Sequence, residues 1–360
     1  MTPSFNKIHN RFKFNGHHFS HEEFKEVAYS LIKEGDYHER ITGDFLIDWL
    51  NDDDFVFAET SGSTGVPKRI KLQKQAMVNS AIATGDFFGL KPGDKALNCL
   101  SSSYIAGKMM LVRAMILGLE IDCETPDSKP LFDTNKGYDF CAMVPMQVSE
   151  SIEKLDTIKT IIIGGSKIVP SLLERIKNSP LKFYETYGMT ETVTHIAIKP
   201  LETLTQKGED FFKALPTVKF TQDKRDCLII DAPKLMDVPL ITNDVVELKS
   251  DKEFKWLGRF DNVINSGGVK LFPEQIEQKL LPIIKKRIIV CAEPDDKFGE
   301  KVILIVETTD NISEELKTKI YTTKSLHKYE IPKHIYTTDQ FVDTFNGKVQ
   351  RQRTIQLVLG

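Results

Sequence analysis

Thr60, Ser61, Gly62, Ser63, Thr64, Gly65, Val66, Pro67 and Lys68 bring four hydroxyl side chains and two glycines together and close on a lysine. The run lies between two strand-like stretches, FVFAET and KRIKLQ, so it reads as the tip of a hairpin. Successive backbone N–H groups in such a loop form a nest for phosphate oxygens, which hydroxyls and one ammonium complete. A solvated hairpin would explain the glycines and serines. It would not explain why Pro67 and Lys68 stiffen the exit and return a cation to the same spot. The run does not satisfy G-x-x-x-x-G-K-[ST], and no G-x-G-x-x-G follows a strand, which excludes a Walker A loop and leaves a dinucleotide fold without its fingerprint. The clustered His17, His18 and His21 suggest a metal at first sight. Ser20 with Glu23 forms a capping box, however, which puts His17 ahead of the helix, and surface histidines are the better reading.

Four further segments join the loop: Tyr187-Gly-Met-Thr-Glu191, Thr242-Asn-Asp244, the stretch from Gly258 to Lys270, and Asn346-Gly-Lys348-Val-Gln-Arg351. In order and approximate spacing the five resemble the acyl-adenylate-forming superfamily of acyl-CoA synthetases, adenylation domains and luciferases. The resemblance spans roughly residues 55 to 351. It implies an acid–thiol ligase that activates a carboxylate with ATP and Mg²⁺, expels pyrophosphate, and passes the acyl group to coenzyme A. An anion must then approach a polyanion, so the work is positioning and charge neutralisation.

By this resemblance the loop Thr60–Lys68 holds the β- and γ-phosphates, Thr190 contacts the α-phosphate, and Glu191 holds the Mg²⁺. Tyr187 stacks on adenine beside Gly188, and Gly164, Gly165 and Ser166 line the base pocket. Asp244 accepts the ribose hydroxyls with Arg259 assisting, and Lys348 is the catalytic lysine bridging carboxylate and α-phosphate. Asp261 matches the hinge, and Gly268 and Lys270 match positions that border the thiol arm of coenzyme A. Taken singly, Glu191 reads equally as a helix N-terminal carboxylate, Asp244 as a turn residue, Arg259 as a surface ion pair, and Gly267-Gly268 as a plain turn. Two positions depart from the pattern: Asn243 stands for the usual glycine and Asn262 for a second aspartate.

The acid is less legible. SSSYIAGKMMLVRA (101–114) occupies the acyl-pocket position, with Tyr104 where an aromatic or histidine is common. Lys108 falls near the start of the following helix, where the dipole gives a cation nothing, so it invites a second substrate carboxylate; a surface lysine is the alternative. Arg113 lies further along the same helix. FCAMVPMQ, IIIGGSKIVPSLLERI and YGMTETVTHIAIK are most similar to o-succinylbenzoate–CoA ligases of menaquinone biosynthesis, whose substrate is an aromatic dicarboxylate. His195 would help by a hydrogen bond, or is a packed strand histidine.

Around these residues the pattern is α/β. Helices are expected at 21–34, 44–50, 74–88, 107–118, 147–154 and 170–177, alternating from residue 74 with short apolar strands. A small β region follows over 216–257, then a smaller α+β pattern with helices at 273–281 and 313–326 and a C-terminal loop. The expected division is an adenylation domain, 1–258, with a shortened N-terminal part and largely parallel sheets, and a mobile C-terminal domain, 259–360. With 48 Lys and Arg against 51 Asp and Glu, no field advertises nucleic acid as a partner. No run is long enough to insert in a membrane, and no secretory signal opens the chain. Five dispersed cysteines without a C-x-x-C pair read as buried thiols in a cytoplasmic protein. The expected partner is a small carboxylic acid; a homo-oligomer is left open. Two other readings remain: transfer to a carrier-protein thiol, and a non-catalytic nucleotide or acyl-CoA sensor.

Overall fold

The computed structural model describes residues 3–59, 69–201, 210–343 and 349–360. Its main sheet runs in the order Lys13–Phe14, Glu120–Cys123, Lys95–Asn98, Phe140–Met143, Thr160–Ile163, Lys182–Gly188, His195–Pro200, Phe212–Ala214, Glu253–Arg259, Leu240–Ser250, Cys227–Asp231 and Lys219–Gln222. The first six strands are parallel. From Lys182–Gly188 onward every pairing is antiparallel, so the β region of 216–257 is hydrogen-bonded onto the parallel sheet through His195–Pro200 and Phe212–Ala214 instead of standing apart.

The central strands explain the short apolar runs of the sequence. All four residues of Phe140–Met143 are buried, as expected of a parallel strand covered on both faces. Helix Ile105–Leu117 lies in the core with nine of its 13 residues buried, and stops at Gly118 in the left-handed region, where φ is 75°. Its first turn presses on the strand end behind it. A Cβ on Gly107 would meet the Ser101 carbonyl oxygen at 2.4 Å, so only glycine fits.

A second sheet carries Val269–Leu271, Ile264–Ser266, Gly299–Glu307 and Ile288–Asp295, with His334–Thr338 parallel to Gly299–Glu307. Helix Pro273–Ile284 packs on it through Ile276, Leu280 and Ile284. A separate hairpin, Phe55–Glu59 with Arg69–Gln73, flanks the loop 60–68 and pairs Glu59 with Arg69. The Ser20–Glu23 capping box is present and the first long helix starts at His21. The helix expected at 44–50 begins earlier, at Tyr37, because Glu39 reaches back to the Asp36 N–H at 2.8 Å. The C-terminal segment, expected as a loop, contains strand His334–Thr338 and helix Arg351–Leu359. Cys99, Cys141, Cys227 and Cys291 are buried, and Cys123 is half-buried.

Candidate active site

The parallel strand Lys182–Gly188 ends in a short 3₁₀ turn, Thr190–Thr192, which fixes Thr190 and Glu191 at the sheet's C-terminal edge. Thr192 Oγ1 braces the turn, accepting from the Met189 N–H at 3.0 Å and bonding the Met189 and Thr194 carbonyls at 2.9 and 2.8 Å. Val193 follows at φ 67°, a strained conformation for a β-branched residue. Glu191, in this turn, is exposed. Among the described residues no group of three or more His, Cys, Asp or Glu could hold a metal. One exposed carboxylate suits Mg²⁺, which keeps several waters and is completed by substrate phosphates.

Asp244 sits on strand Leu240–Ser250 directly opposite Arg259. It is buried, yet three donors reach it. Tyr187 donates its hydroxyl to Oδ2 at 2.5 Å, while Trp256 Nε1 and Arg259 Nη1 approach Oδ1 at 3.2 and 3.5 Å. A carboxylate offers about four lone pairs, so capacity for one more donor remains. Burial, then the Asp244 charge, pushes the Tyr187 phenol well above its ordinary range. The Tyr187 ring stands edge-on to Phe254 at 5.0 Å and tilted against Phe212 at 5.8 Å. Across the sheet, Gly164 and Gly165 follow strand Thr160–Ile163, and a Cβ on Gly164 would meet Thr186 Oγ1 at 2.5 Å. Gly188 passes as close to the Thr194 carbonyl. Ser166, exposed, continues this loop after strand Thr160–Ile163, which pairs with the strand that carries Tyr187.

On the other side of the 190–192 turn lies a group that the motif reading did not single out. Arg113, 1% exposed within the apolar run MMLVRAMIL of the helix, has no carboxylate partner among the described residues. Its Nη2 donates to His195 Nδ1 at 3.4 Å and Thr194 Oγ1 at 3.5 Å, and its Nε to Thr84 Oγ1 at 3.4 Å. Among the described residues, Nη1 meets the Met110 thioether, at 3.7 Å. Burial pushes Arg113 down to about 9, still charged at neutral pH. Burial, then the Arg113 charge, holds His195 well below its ordinary value, so the imidazole is neutral. Its other nitrogen, Nε2, lies 3.3 Å from Thr84 Oγ1, which in turn donates to the Ser80 carbonyl.

His195 is thus brought to Arg113, whereas Lys108 points elsewhere. Lys108 Nζ donates to the Phe57 carbonyl at 2.9 Å, on the strand that leads into the loop 60–68. Tyr104 is the half-exposed residue just before the same helix. In the smaller sheet, Gly267 and Gly268, with φ of 59° and 79°, make a two-residue hairpin turn, a geometry that by itself asks for glycine. Space around Gly268 is open, and Lys270 Nζ lies 3.3 Å from Asp226 Oδ2. Arg259 Nη2 also reaches Asp261 Oδ2 at 3.4 Å. Thr60, Ser61, Gly62, Ser63, Thr64, Gly65, Lys68 and Lys348 lie outside the described residues. No helix among the described residues is long and apolar enough to cross a membrane.

The chain's residues 30–239 match the family model of AMP-binding enzymes. A 2-succinylbenzoate–CoA ligase of Listeria monocytogenes is 24% identical over 355 residues, covering 91% of this chain and 74% of that one. The ligase of the same name from Lactococcus lactis is 26% identical over 318 residues, 82% of this chain and 70% of its own. Among solved structures, an acyl-CoA synthetase (AMP-forming)/AMP-acid ligase II-like protein of Dyadobacter fermentans is 34% identical, with TM-score 0.61, over 92% of this chain and 98% of that one. The o-succinylbenzoate coenzyme A synthetase of Bacillus subtilis, solved with ATP and magnesium ion, shares the fold at TM-score 0.70 and 19% identity, over 93% and 82% of the two chains. The chain belongs to the AMP-binding enzymes, the acyl-adenylate-forming superfamily, and is an acid–CoA ligase of the AMP-forming type.

Proposed function

We propose that the acid is an aromatic dicarboxylate, o-succinylbenzoate, activated and joined to coenzyme A as in menaquinone (vitamin K2) biosynthesis. One observation carries this reading: a buried guanidinium, Arg113, with neutral partners only among the described residues. An unpaired buried charge costs several kcal/mol, roughly, unless an anion meets it. A carboxylate that survives the reaction would be that anion, seated on Arg113 with His195 and Thr194 at its side and Tyr104 at the entrance. The ligase relatives from Listeria and Lactococcus agree with such a substrate.

The other carboxylate attacks the α-phosphate of ATP. A carboxylate-oxygen to phosphorus bond forms, the bond to the β-phosphate oxygen breaks, and pyrophosphate leaves. Thr60, Ser61, Gly62, Ser63, Thr64, Gly65 and Lys68 take the leaving phosphates, Thr190 faces the α-phosphate, and Lys348 draws the two anions together. Glu191 would hold Mg²⁺, which when bound would supply charge neutralisation on the phosphates. Gly164, Gly165, Ser166, Tyr187 and Gly188 hold adenine. Asp244 and Arg259 hold the ribose. Residues 259–360 then turn about Asp261 so that Gly268 and Lys270 border the thiol arm, the sulfur attacks the acyl carbon, and AMP leaves. Lys108 sets the stem of the phosphate loop against the helix that carries Arg113.

The test is pyrophosphate release by the purified chain with Mg-ATP and a panel of mono- and dicarboxylic acids, with and without coenzyme A. Release that peaks with o-succinylbenzoate and quickens with coenzyme A is expected. A peak with a monocarboxylate would overturn the dicarboxylate reading.

A further inference from the structure

The two departures from the motif pattern, Asn243 and Asn262, both make hydrogen bonds at the hinge segment Phe260–Asn262. Asn243 Oδ1 accepts from Arg225 Nη1 at 3.0 Å, and its Nδ2 donates to Asp261 Oδ2 at 3.3 Å. Arg225 is itself fixed: Nε donates to Asp223 Oδ2 at 2.8 Å and Nη2 to the Thr242 carbonyl at 3.3 Å. The same guanidinium lies 5.0 Å from the centroid of the Phe260 ring, within cation–π range. One amide and one guanidinium therefore tie Phe260 and Asp261 to the strand Leu240–Ser250. A glycine at 243 has no side chain to do this.

The other amide ties the segment on its far side. Asn262 Nδ2 donates to Glu274 Oε1 at 2.6 Å, in the first turn of helix Pro273–Ile284. Glu274 is only 7% exposed, and its Oε2 has no hydrogen-bond partner among the described residues. An aspartate at 262 would set a second carboxylate against the first, and two such groups at hydrogen-bond distance cannot both ionise in a buried place. The amide donates where the acid would repel. The Glu274 carbonyl in turn accepts Lys167 Nζ at 2.9 Å, from the loop that continues Gly164, Gly165 and Ser166. Glu277, one turn further on, takes Arg351 Nη2 at 2.5 Å, and Lys167 feels the charges of Glu277, Glu274 and Arg351.

We propose that Asn243 and Asn262 are positioning residues that pin the hinge in this arrangement, with Lys167 bonded to the Glu274 carbonyl, and so favour adenylation over thiol transfer. The inference rests on the two-step reading above. Three variants of the full chain test it: Asn243→Gly, Asn262→Asp, and Asn262→Asp combined with Glu274→Gln, which restores a donor–acceptor pair with the roles exchanged.

The first readout needs no substrate: the rate at which trypsin cuts the Arg259–Phe260 bond. Losing these bonds is expected to raise that rate about five- to tenfold in Asn243→Gly and Asn262→Asp, with recovery in the double variant. The second readout is the ratio of the half-reactions, pyrophosphate release without coenzyme A against thioester formation from supplied o-succinylbenzoyl-adenylate. That ratio should fall in both single variants and recover in the double one. Unchanged cleavage overturns the inference, and so does faster cleavage with an unchanged ratio. A wild-type chain inactive in both half-reactions would sink the substrate reading, while cleavage and its rescue still decide whether the asparagines hold the hinge.

Discussion

Arg113 Nη2 donates to His195 Nδ1 across 3.4 Å, and the contact fixes the tautomer of the imidazole. With Nδ1 accepting, the ring proton sits on Nε2 and points at Thr84 Oγ1. A second proton on the ring would face a guanidinium in a buried site. The pair is therefore one positive charge with a neutral orienting group, which suits the anion proposed to sit on it.

This pairing predicts how stability depends on pH. His195 lies well below its ordinary 6.5 in the folded chain. As pH falls through that value the unfolded chain takes up a proton that the native site refuses. The contribution of His195 is complete above about pH 6.5 and is lost below it, at up to about 1.4 kcal/mol per pH unit. Urea titrations of wild type and His195→Gln should show it. The drop in unfolding free energy between about pH 7.5 and 5.5 should be smaller in the variant by roughly 1 kcal/mol. Equal drops would mean that the ring already titrates normally in the fold.

Arg113→Met should separate stability from activity. Replacing an unpaired buried charge by an apolar side chain of similar length is neutral or stabilising, by up to about 4 kcal/mol for buried ionic groups. The same change removes the proposed anion receptor. The variant should melt no earlier than wild type, while the KM for the dicarboxylate rises by about 10²-fold or more and the KM for ATP stays within about threefold. A variant that melts well below wild type would make Arg113 a structural residue.

Tyr187 and Asp244 should respond in opposite directions. Asp244→Asn removes the charge proposed to receive the ribose, and the KM for ATP should rise about tenfold or more, the worth of a charged hydrogen bond. Tyr187→Phe removes the 2.5 Å bond and frees Oδ2 for the nucleotide. Its KM for ATP should hold or fall, at a stability loss of about 1 kcal/mol. Isothermal titration with ATP decides between them. Equal weakening by both substitutions would mean that the hydroxyl itself contacts the nucleotide.

Much of this arrangement is local and therefore legible in the residues. The Ser20–Glu23 box, the apolar runs of the parallel strands and the stop at Gly118 each act within a few positions. Helix Arg351–Leu359 escapes such reading because it is short and polar, with only Thr354 buried, and is held by Ile355, Val358 and Leu359 resting on Ile289, Ile303 and Phe341. Lys108 drew attention by sitting where a helix dipole disfavours it, yet its partner, the Phe57 carbonyl, is 51 residues away. Arg113 carries the stronger signal, a charge at the centre of MMLVRAMIL, a run that must be buried on every side. That no described residue brings it a counter-charge is a tertiary fact that no spacing encodes.

Lys348 provides the sharpest division between the two steps. A cation that draws a carboxylate to the α-phosphate has work only while both anions are present, so its removal should raise the adenylation barrier and leave thiol attack alone. Lys348→Ala should lower pyrophosphate release with o-succinylbenzoate by about 10²-fold or more, the usual effect of removing one preorganised charge-stabilising group. Thioester formation from supplied acyl-adenylate and coenzyme A should stay within about threefold of wild type, because the phosphoryl chemistry is already complete. Lys68→Ala is the control from the other end of the nucleotide. It should raise the KM for ATP in the first step and likewise leave the second untouched. Equal loss in both half-reactions for Lys348→Ala would mean that the lysine supports the fold of residues 259–360 instead of the reacting anions.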